Sequence, residues 1–293
     1  MTVGFIGFGG AAYGLTKGLK EAGLAEVCFF DSLWETAPNS EVIHRHAMET
    51  GAILKESLGA LIQDAEIIIS CVTGSVALAV AEQVAAFLEE RHLFVDVNTA
   101  SPKVMEAVGD VIQRTGAAFA DVAMLGGIPA FLHRVPCLAS GNGAELFKSA
   151  MQPYGMDITC VGEIPGQASA IKMFRSVFMK GFLALLMEML SGTHRYQVDS
   201  LVLDSIAKTM EKNGFLETVR LQMAKGVINA ERMSDEMGAV VETFTEMGLP
   251  SVMSTATRET LRWCSRMKLA EHFAGDMPSS LDEILDIMEE KSR

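Results

Sequence analysis

Val3-Gly4-Phe5-Ile6-Gly7-Phe8-Gly9-Gly10-Ala11-Ala12, followed further on by Val27-Cys28-Phe29-Phe30-Asp31, decides how the rest of the chain reads. An apolar strand runs into a glycine turn, a helix, and a second strand that ends on an acidic residue. A polypeptide uses that order to hold a dinucleotide. Gly7 permits the tight turn, Gly9 lets the backbone approach a pyrophosphate, and Ala12 stands where Gly or Ala allows close helix–strand packing. The N–H groups at Gly10 and Ala11 open the helix and face the phosphates with the positive end of its dipole. Asp31 points to NAD, because a carboxylate accepts hydrogen bonds from ribose hydroxyls and repels a 2′-phosphate; NADP stays possible. The competing reading is a glycine turn in some other α/β protein.

The chain has 293 residues, which predicts about two domains. Apolar residues make up 49% and charged residues 21%, ample for a core and unlike a disordered chain. A net charge of −13 argues against nucleic acid, whose phosphates need clustered Lys and Arg. Cys28, Cys71, Cys137, Cys160 and Cys264 are scattered, with no CxxC pair and no His at zinc spacing, so reduced thiols and no metal site are expected. The chain enters a strand without a basic leader, and its longest apolar stretch, Phe182 to Leu190, contains Glu188 and is too short to span a bilayer. The expectation is a cytoplasmic protein without a membrane partner.

Strand and helix patterns continue to alternate after the opening unit. A helix is predicted from Asn39 to about Thr50, ended by Gly51, and a strand covered on both faces over Ala65–Val72. Leu93–Val97 is the next strand, Ser101-Pro102 caps a helix, and Ala117–Ala123 is a further strand. Ligands of open parallel sheets bind beyond the carboxyl ends of the strands. Val72-Thr73, Asn98-Thr99 and Leu125-Gly126-Gly127 all fall there, so three loops distant in sequence should converge on the cofactor. Short strands at Val135–Gly141 and Asp157–Val161 flank a helix over Ala144–Met151, and Gly162-Glu163-Ile164-Pro165-Gly166 punctuates the chain.

The fold class is therefore α/β: a Rossmann-type doubly wound sheet over 1–163, then an all-α domain over 164–293. The two are joined by a long helix at about 167–191. That helix carries apolar residues on more than one face and reads as a pillar buried nearly all round. Later helices are expected at Ser200–Lys212, Phe215–Glu231, Met233–Met247, Ser251–Lys268 and Leu281–Glu290. The nineteen methionines read as pliable core packing.

Lys172 and Arg175 lie one turn apart on the long helix and share a face. One reading makes them a cationic site for an anionic substrate. Lys172 then exchanges a proton with a hydroxyl, its pKa lowered by burial and by the Arg175 charge. The other reading is two stems snorkelling from a half-exposed helix end. Lys180 reads as a structural or surface residue, His194-Arg195-Tyr196 as the helix end, and His44 and His46 as solvent-facing.

These residues resemble the β-hydroxyacid dehydrogenases, which include 3-hydroxyisobutyrate and 6-phosphogluconate dehydrogenases. Gly7-Phe8-Gly9-Gly10-Ala11-Ala12 resembles the family's cofactor fingerprint. Asp96-Val97-Asn98-Thr99-Ala100-Ser101-Pro102 is similar to its D-x-[SN]-[ST]-x-[ST]-P segment, and Asp121-Val122-Ala123-Met124-Leu125-Gly126-Gly127 to its substrate segment. Gly166 through Lys172 resembles the approach to its catalytic lysine. The resemblance implies that Lys172 is the general acid/base, that Gly126 and Gly127 offer backbone N–H groups to the substrate, and that Thr99 lies near its reacting end. It also implies a homodimer through the helical domain. Leu125 stands where the family commonly has Ser, Ser176 where it has Asn, and Arg175 where it has His or Asn. Lys172-Met173-Phe174-Arg175-Ser176 followed by Lys180-Gly181 resembles a subgroup whose substrates are mostly unassigned.

The expected function is NAD(P)-dependent hydride transfer on a small anionic 3-hydroxy acid, or a phosphogluconate-like one. Its site comprises Lys172, Thr99, Leu125, Gly126, Gly127, Arg175 and Ser176, with the cofactor on Gly7, Gly9, Gly10, Ala11, Ala12, Asp31, Val72, Thr73 and Asn98. Two alternatives remain: an imine reductase on the same scaffold, and a non-catalytic NAD(H)-binding regulatory protein.

Overall fold

The computed structural model describes residues 1–292. Eight strands, β1 (Thr2–Ile6), β2 (Glu26–Phe30), β3 (Ile53–Leu54), β4 (Ile67–Ser70), β5 (Leu93–Asp96), β6 (Ala118–Met124), β7 (Cys137–Ser140) and β8 (Ile158–Gly162), form one sheet. Their order is β3-β2-β1-β4-β5-β6-β7-β8. Pairing is parallel throughout except between β6 and β7. The chain reverses direction across β1, running out through β2 and β3 and back through β4 and β5, so the glycine turn after β1 sits at the switch point of the sheet. The two-residue β3 was too short for any hydrophobic period to reveal.

The connections are α1 (Gly10–Glu21), α2 (Asn39–Thr50), α3 (Leu58–Asp64), α4 (Ala77–Val84), α5 (Pro102–Gln113), α6 (Ile128–Phe131) and α7 (Ala144–Met151). Their limits follow local chemistry. Gly51 ends α2 in the left-handed region at φ 66°, and the Ser101 hydroxyl accepts the Val104 N–H at the start of α5, with Pro102 in the first turn. Neighbours along a strand point to opposite faces, and the two cores record that alternation. Ile67, Ile69, Val95 and Val122 lie in one, Ile68, Phe94 and Phe119 in the other.

The chain packs as two compact units, 1–177 and 178 onward. The 30-residue α8 (Gln167–Tyr196) contributes its first turns to the first unit and the remainder to the second. The second unit continues with α9 (Asp199–Asn213), α10 (Phe215–Glu246), α11 (Val252–Arg266), α12 (Leu269–His272) and α13 (Leu281–Ser292), with no strand among the described residues. Its core gathers Ala224, Val227, Ala230, Cys264, Met267, Leu269 and Ile284. The two helices expected over 215–247 meet within α10 at a kink, where Asn229, with φ of −113° and ψ of 19°, breaks the helical run.

The expectation that α8 is buried nearly all round does not hold for the single chain. Phe174 is 74% exposed and Val177 72%, and Phe178, Phe182, Leu183 and Met187 are exposed as well. Single-sequence patterning reports that a face is apolar, not which chain covers it. No described helix is long and apolar enough to cross a membrane.

Candidate functional site

The glycine turn is built as the residue types require. Gly7 holds φ at 84°, and a Cβ there would stand 2.6 Å from the Cys71 carbonyl oxygen, so only glycine fits. Gly9 and Gly10 face open space, with no heavy atom within 4 Å of a Cβ built at either. Gly9 is the N-cap of α1, and no side chain caps that helix end. Asp31 follows β2 directly. Its carboxylate accepts the Phe8 N–H at 2.7 Å and the Leu33 N–H at 2.8 Å. An uncapped helix N-terminus, an open glycine surface and a carboxylate beyond the next strand fit the pyrophosphate and ribose of NAD. Ala11 is half-buried at this surface and Ala12 buried beneath it.

One neighbour of the turn was missed. His46, expected to face solvent, is 8% exposed. Its ring stacks on Tyr13 with centroids 4.3 Å apart, and Nδ1 lies 3.2 Å from the Phe8 carbonyl oxygen. The partners come from the turn and from α1, so nothing local in α2 distinguished His46 from the exposed His44, whose ring meets Trp34 at a tilt. Phe8 is thereby held on both sides of its backbone, by Asp31 and by His46.

The loops after β4 and β5 are tied together by Asn98. Its Oδ1 accepts the Val72 N–H at 2.6 Å, and its Nδ2 donates to Ser70 Oγ and Asp96 Oδ2, both at 2.9 Å. Asn98 is 4% exposed, so its amide shapes the cofactor loop from behind. Thr73 is exposed, and the adjoining Gly74 packs so tightly that a Cβ would meet the Thr99 carbonyl oxygen at 2.1 Å. Thr99 is exposed, and its Oγ1 accepts a hydrogen bond from Lys172 Nζ at 3.0 Å. That contact joins the loop after β5 to the first turns of α8. Gly126 and Gly127 are exposed at the end of the adjacent β6, whereas Leu125 is half-buried with its N–H on the Pro136 carbonyl at 2.8 Å. Arg175 is exposed one turn after Lys172, and Ser176 is half-buried.

Behind this surface runs a row of fully buried polar side chains. Ser70, Asp96, Asp121 and Ser140 are register partners across β4, β5, β6 and β7. Burial pushes the Asp96 carboxyl up to about 7, against the opposing hydrogen bonds from Asn98, and burial raises Asp121 as well. The signal was present in Phe94-Val95-Asp96-Val97 and Phe119-Ala120-Asp121-Val122, where a charge interrupts an apolar strand. Burial also drives the Cys71 and Cys137 thiols up to about 12, which keeps them protonated and unreactive. No group of His, Cys, Asp and Glu suited to a metal ion occurs among the described residues.

Residues 2–162 match the model of the NAD binding domain of 6-phosphogluconate dehydrogenase, and residues 193–264 match a domain of unknown function. A conserved hypothetical protein from Sinorhizobium meliloti is 30% identical, with 89% of this chain and 87% of that one covered and a TM-score of 0.63. A conserved protein of unknown function, described as structurally similar to 3-hydroxyacid dehydrogenases, is also 30% identical, with 92% and 99% covered and a TM-score of 0.63. An imine reductase from Aspergillus terreus is 15% identical over 97% of this chain and 98% of its own, with a TM-score of 0.73, a likeness of fold alone.

Proposed function

The chain belongs to the family of the NAD binding domain of 6-phosphogluconate dehydrogenase, and from that premise we propose that it is an NAD-dependent dehydrogenase of small 3-hydroxy acids with Lys172 as general acid/base. The observation that carries this reading is the 3.0 Å hydrogen bond from Lys172 Nζ to Thr99 Oγ1, beyond the carboxyl end of β5. NAD, when bound, supplies the hydride acceptor, and NADH the donor in the reverse direction. Lys172 Nζ takes the hydroxyl proton in oxidation and returns it in reduction. Thr99 Oγ1 fixes where Nζ stands, and in this reading the reacting carbon binds beside its hydroxyl. The N–H groups of Gly126 and Gly127 and the Arg175 guanidinium bind the substrate carboxylate, the arginine in the paired geometry that suits carboxylates. Asp31 favours NAD through the ribose hydroxyls. The same reading includes a homodimer, in which a second copy covers the exposed apolar face of α8.

Reduction of a C=N bond on the same scaffold is the competing reading, and Leu125 favours it by removing a hydroxyl donor from the substrate loop. One assay separates them. Purified protein is offered 3-hydroxy acids with NAD, and cyclic imines with NADH, while nicotinamide absorbance is followed. Turnover confined to the hydroxy acids supports the proposal; turnover confined to the imines overturns it.

A further inference from the structure

Lys172 Nζ donates a hydrogen bond to Thr99 Oγ1, which joins two segments 73 residues apart in sequence. Its geometry depends on how the start of α8 and the loop after β5 are each fixed to the sheet. Both fixings run through the buried carboxylates of the row beneath. Asp121, fully buried on β6, accepts the Gly166 N–H and the Ser169 N–H at 3.1 Å each through Oδ2, and the Ser169 hydroxyl at 2.7 Å through Oδ1. The Ser140 hydroxyl donates to Asp121 Oδ2 at 3.2 Å and itself accepts the Ala168 N–H at 3.0 Å. Three N–H groups around the N-terminus of α8, which have no partner within the helix, therefore end on one carboxylate or on the serine bonded to it. A negative charge there also faces the positive end of the helix dipole. Asp96, the register partner of Asp121 on β5, accepts the Asn98 N–H at 2.8 Å and the Asn98 Nδ2 at 2.9 Å, and so fixes the backbone immediately before Thr99.

We propose that Asp121 is the positioning residue for Lys172: by clamping the first turn of α8 it sets the rotation that aims Lys172 Nζ at Thr99 Oγ1, while Asp96 holds Thr99 to receive it. Ser169 stands three residues before Lys172, so the clamp lies one turn from the side chain it aims. The carboxylate reaches the lysine only through the helix backbone. A desolvated acid is expensive to keep inside a sheet, and four donors converging on it offset that cost. The sheet core alone gives no reason for a charge at this register; the helix end does. The proposal rests on Lys172 being the proton-transferring group, but its test does not need a substrate.

The test is competitive acetylation of the full-length protein with trace acetic anhydride, read lysine by lysine by peptide mass spectrometry. Lys20 and Lys148 are internal references. Thr99→Val removes the Oγ1 acceptor and sets the scale for loss of this one hydrogen bond. Lys172 in that variant should label about three- to tenfold faster than in wild type, the equivalent of one ordinary hydrogen bond. Ser169→Ala and Asp121→Asn should both raise Lys172 labelling toward the Thr99→Val level, with Lys20 and Lys148 unchanged. A general loosening of the fold would raise all three lysines together, and that outcome overturns the proposal. So does a Lys172 rate that stays at the wild-type level in Ser169→Ala, the milder variant, which decides the matter if Asp121→Asn does not fold. Failure of the catalytic reading is seen elsewhere, as undiminished turnover in Lys172→Ala.

Discussion

Two single residues carry measurable consequences. At Gly7 the backbone is left-handed, and a methyl would press on the Cys71 carbonyl at 2.6 Å. Gly7→Ala should cost about 1–3 kcal/mol of stability and weaken NADH binding, seen together in thermal unfolding and a fluorescence titration. Unchanged NADH affinity in a folded Gly7→Ala protein would show that the turn does not hold the cofactor. Asp96 makes a prediction about pH. Burial raises its folded pKa to about 7, above its ordinary value of 3.8, so the folded state binds the extra proton between those limits. Its contribution is therefore fully present below about pH 4 and lost as pH rises through 7. The urea midpoint should fall between pH 5 and pH 8 in wild type, and fall less in Asp96→Asn. A steeper fall in the variant would contradict the sign. Gly7 and Asp31 were legible because each has a local pattern that only one conformation satisfies. His46 was not, because its partners Phe8 and Tyr13 lie in other elements.

Elements were legible where composition changes sharply. The glycine that ends α2, the Ser-Pro start of α5 and the apolar runs of β4 and β5 each declare a boundary or a buried strand. What joins one element to another was less visible, and Glu188 shows why. In sequence it is a charge within an apolar stretch. In the structure it caps α11: its carboxylate accepts the Met253 N–H at 2.7 Å, the Ser254 N–H at 2.8 Å and the Ser254 hydroxyl at 2.6 Å. Partial burial alone would raise its pKa; the Ser254 hydroxyl and these N–H groups outweigh that and hold it below the ordinary value. Glu188→Ala should lower stability by about 1–3 kcal/mol, because it strands donors at a helix end. Chemical denaturation monitored by circular dichroism measures it, and Glu188→Gln, which keeps an acceptor, should recover part of the loss. An alanine variant as stable as wild type would remove the cap from the account.

Across the whole molecule, the α/β half and the helical half follow the order expected from periodicity, and the apolar surface of α8 is where that reasoning stopped. Ile171, Phe174, Val177, Phe178, Phe182 and Met187 have the composition of a core and the exposure of a surface. In the proposed homodimer a second copy would cover part of this surface, since apolar residues left exposed on one chain suit an association face. Sedimentation should show a dimer at micromolar concentration, and Phe178→Glu with Phe182→Glu should shift it to monomer. A wild-type monomer at every concentration would refute the dimer. The central claim is that Lys172 moves the proton while the glycine turn holds NAD, and the division of labour between them can be measured directly. Turnover of an active 3-hydroxy acid and NADH affinity are compared in wild type and Lys172→Ala. The predicted result is a loss of kcat of about a hundredfold or more, as expected for a general acid/base, with NADH affinity unchanged; a Lys172→Ala variant that turns over the hydroxy acid at the wild-type rate would contradict it.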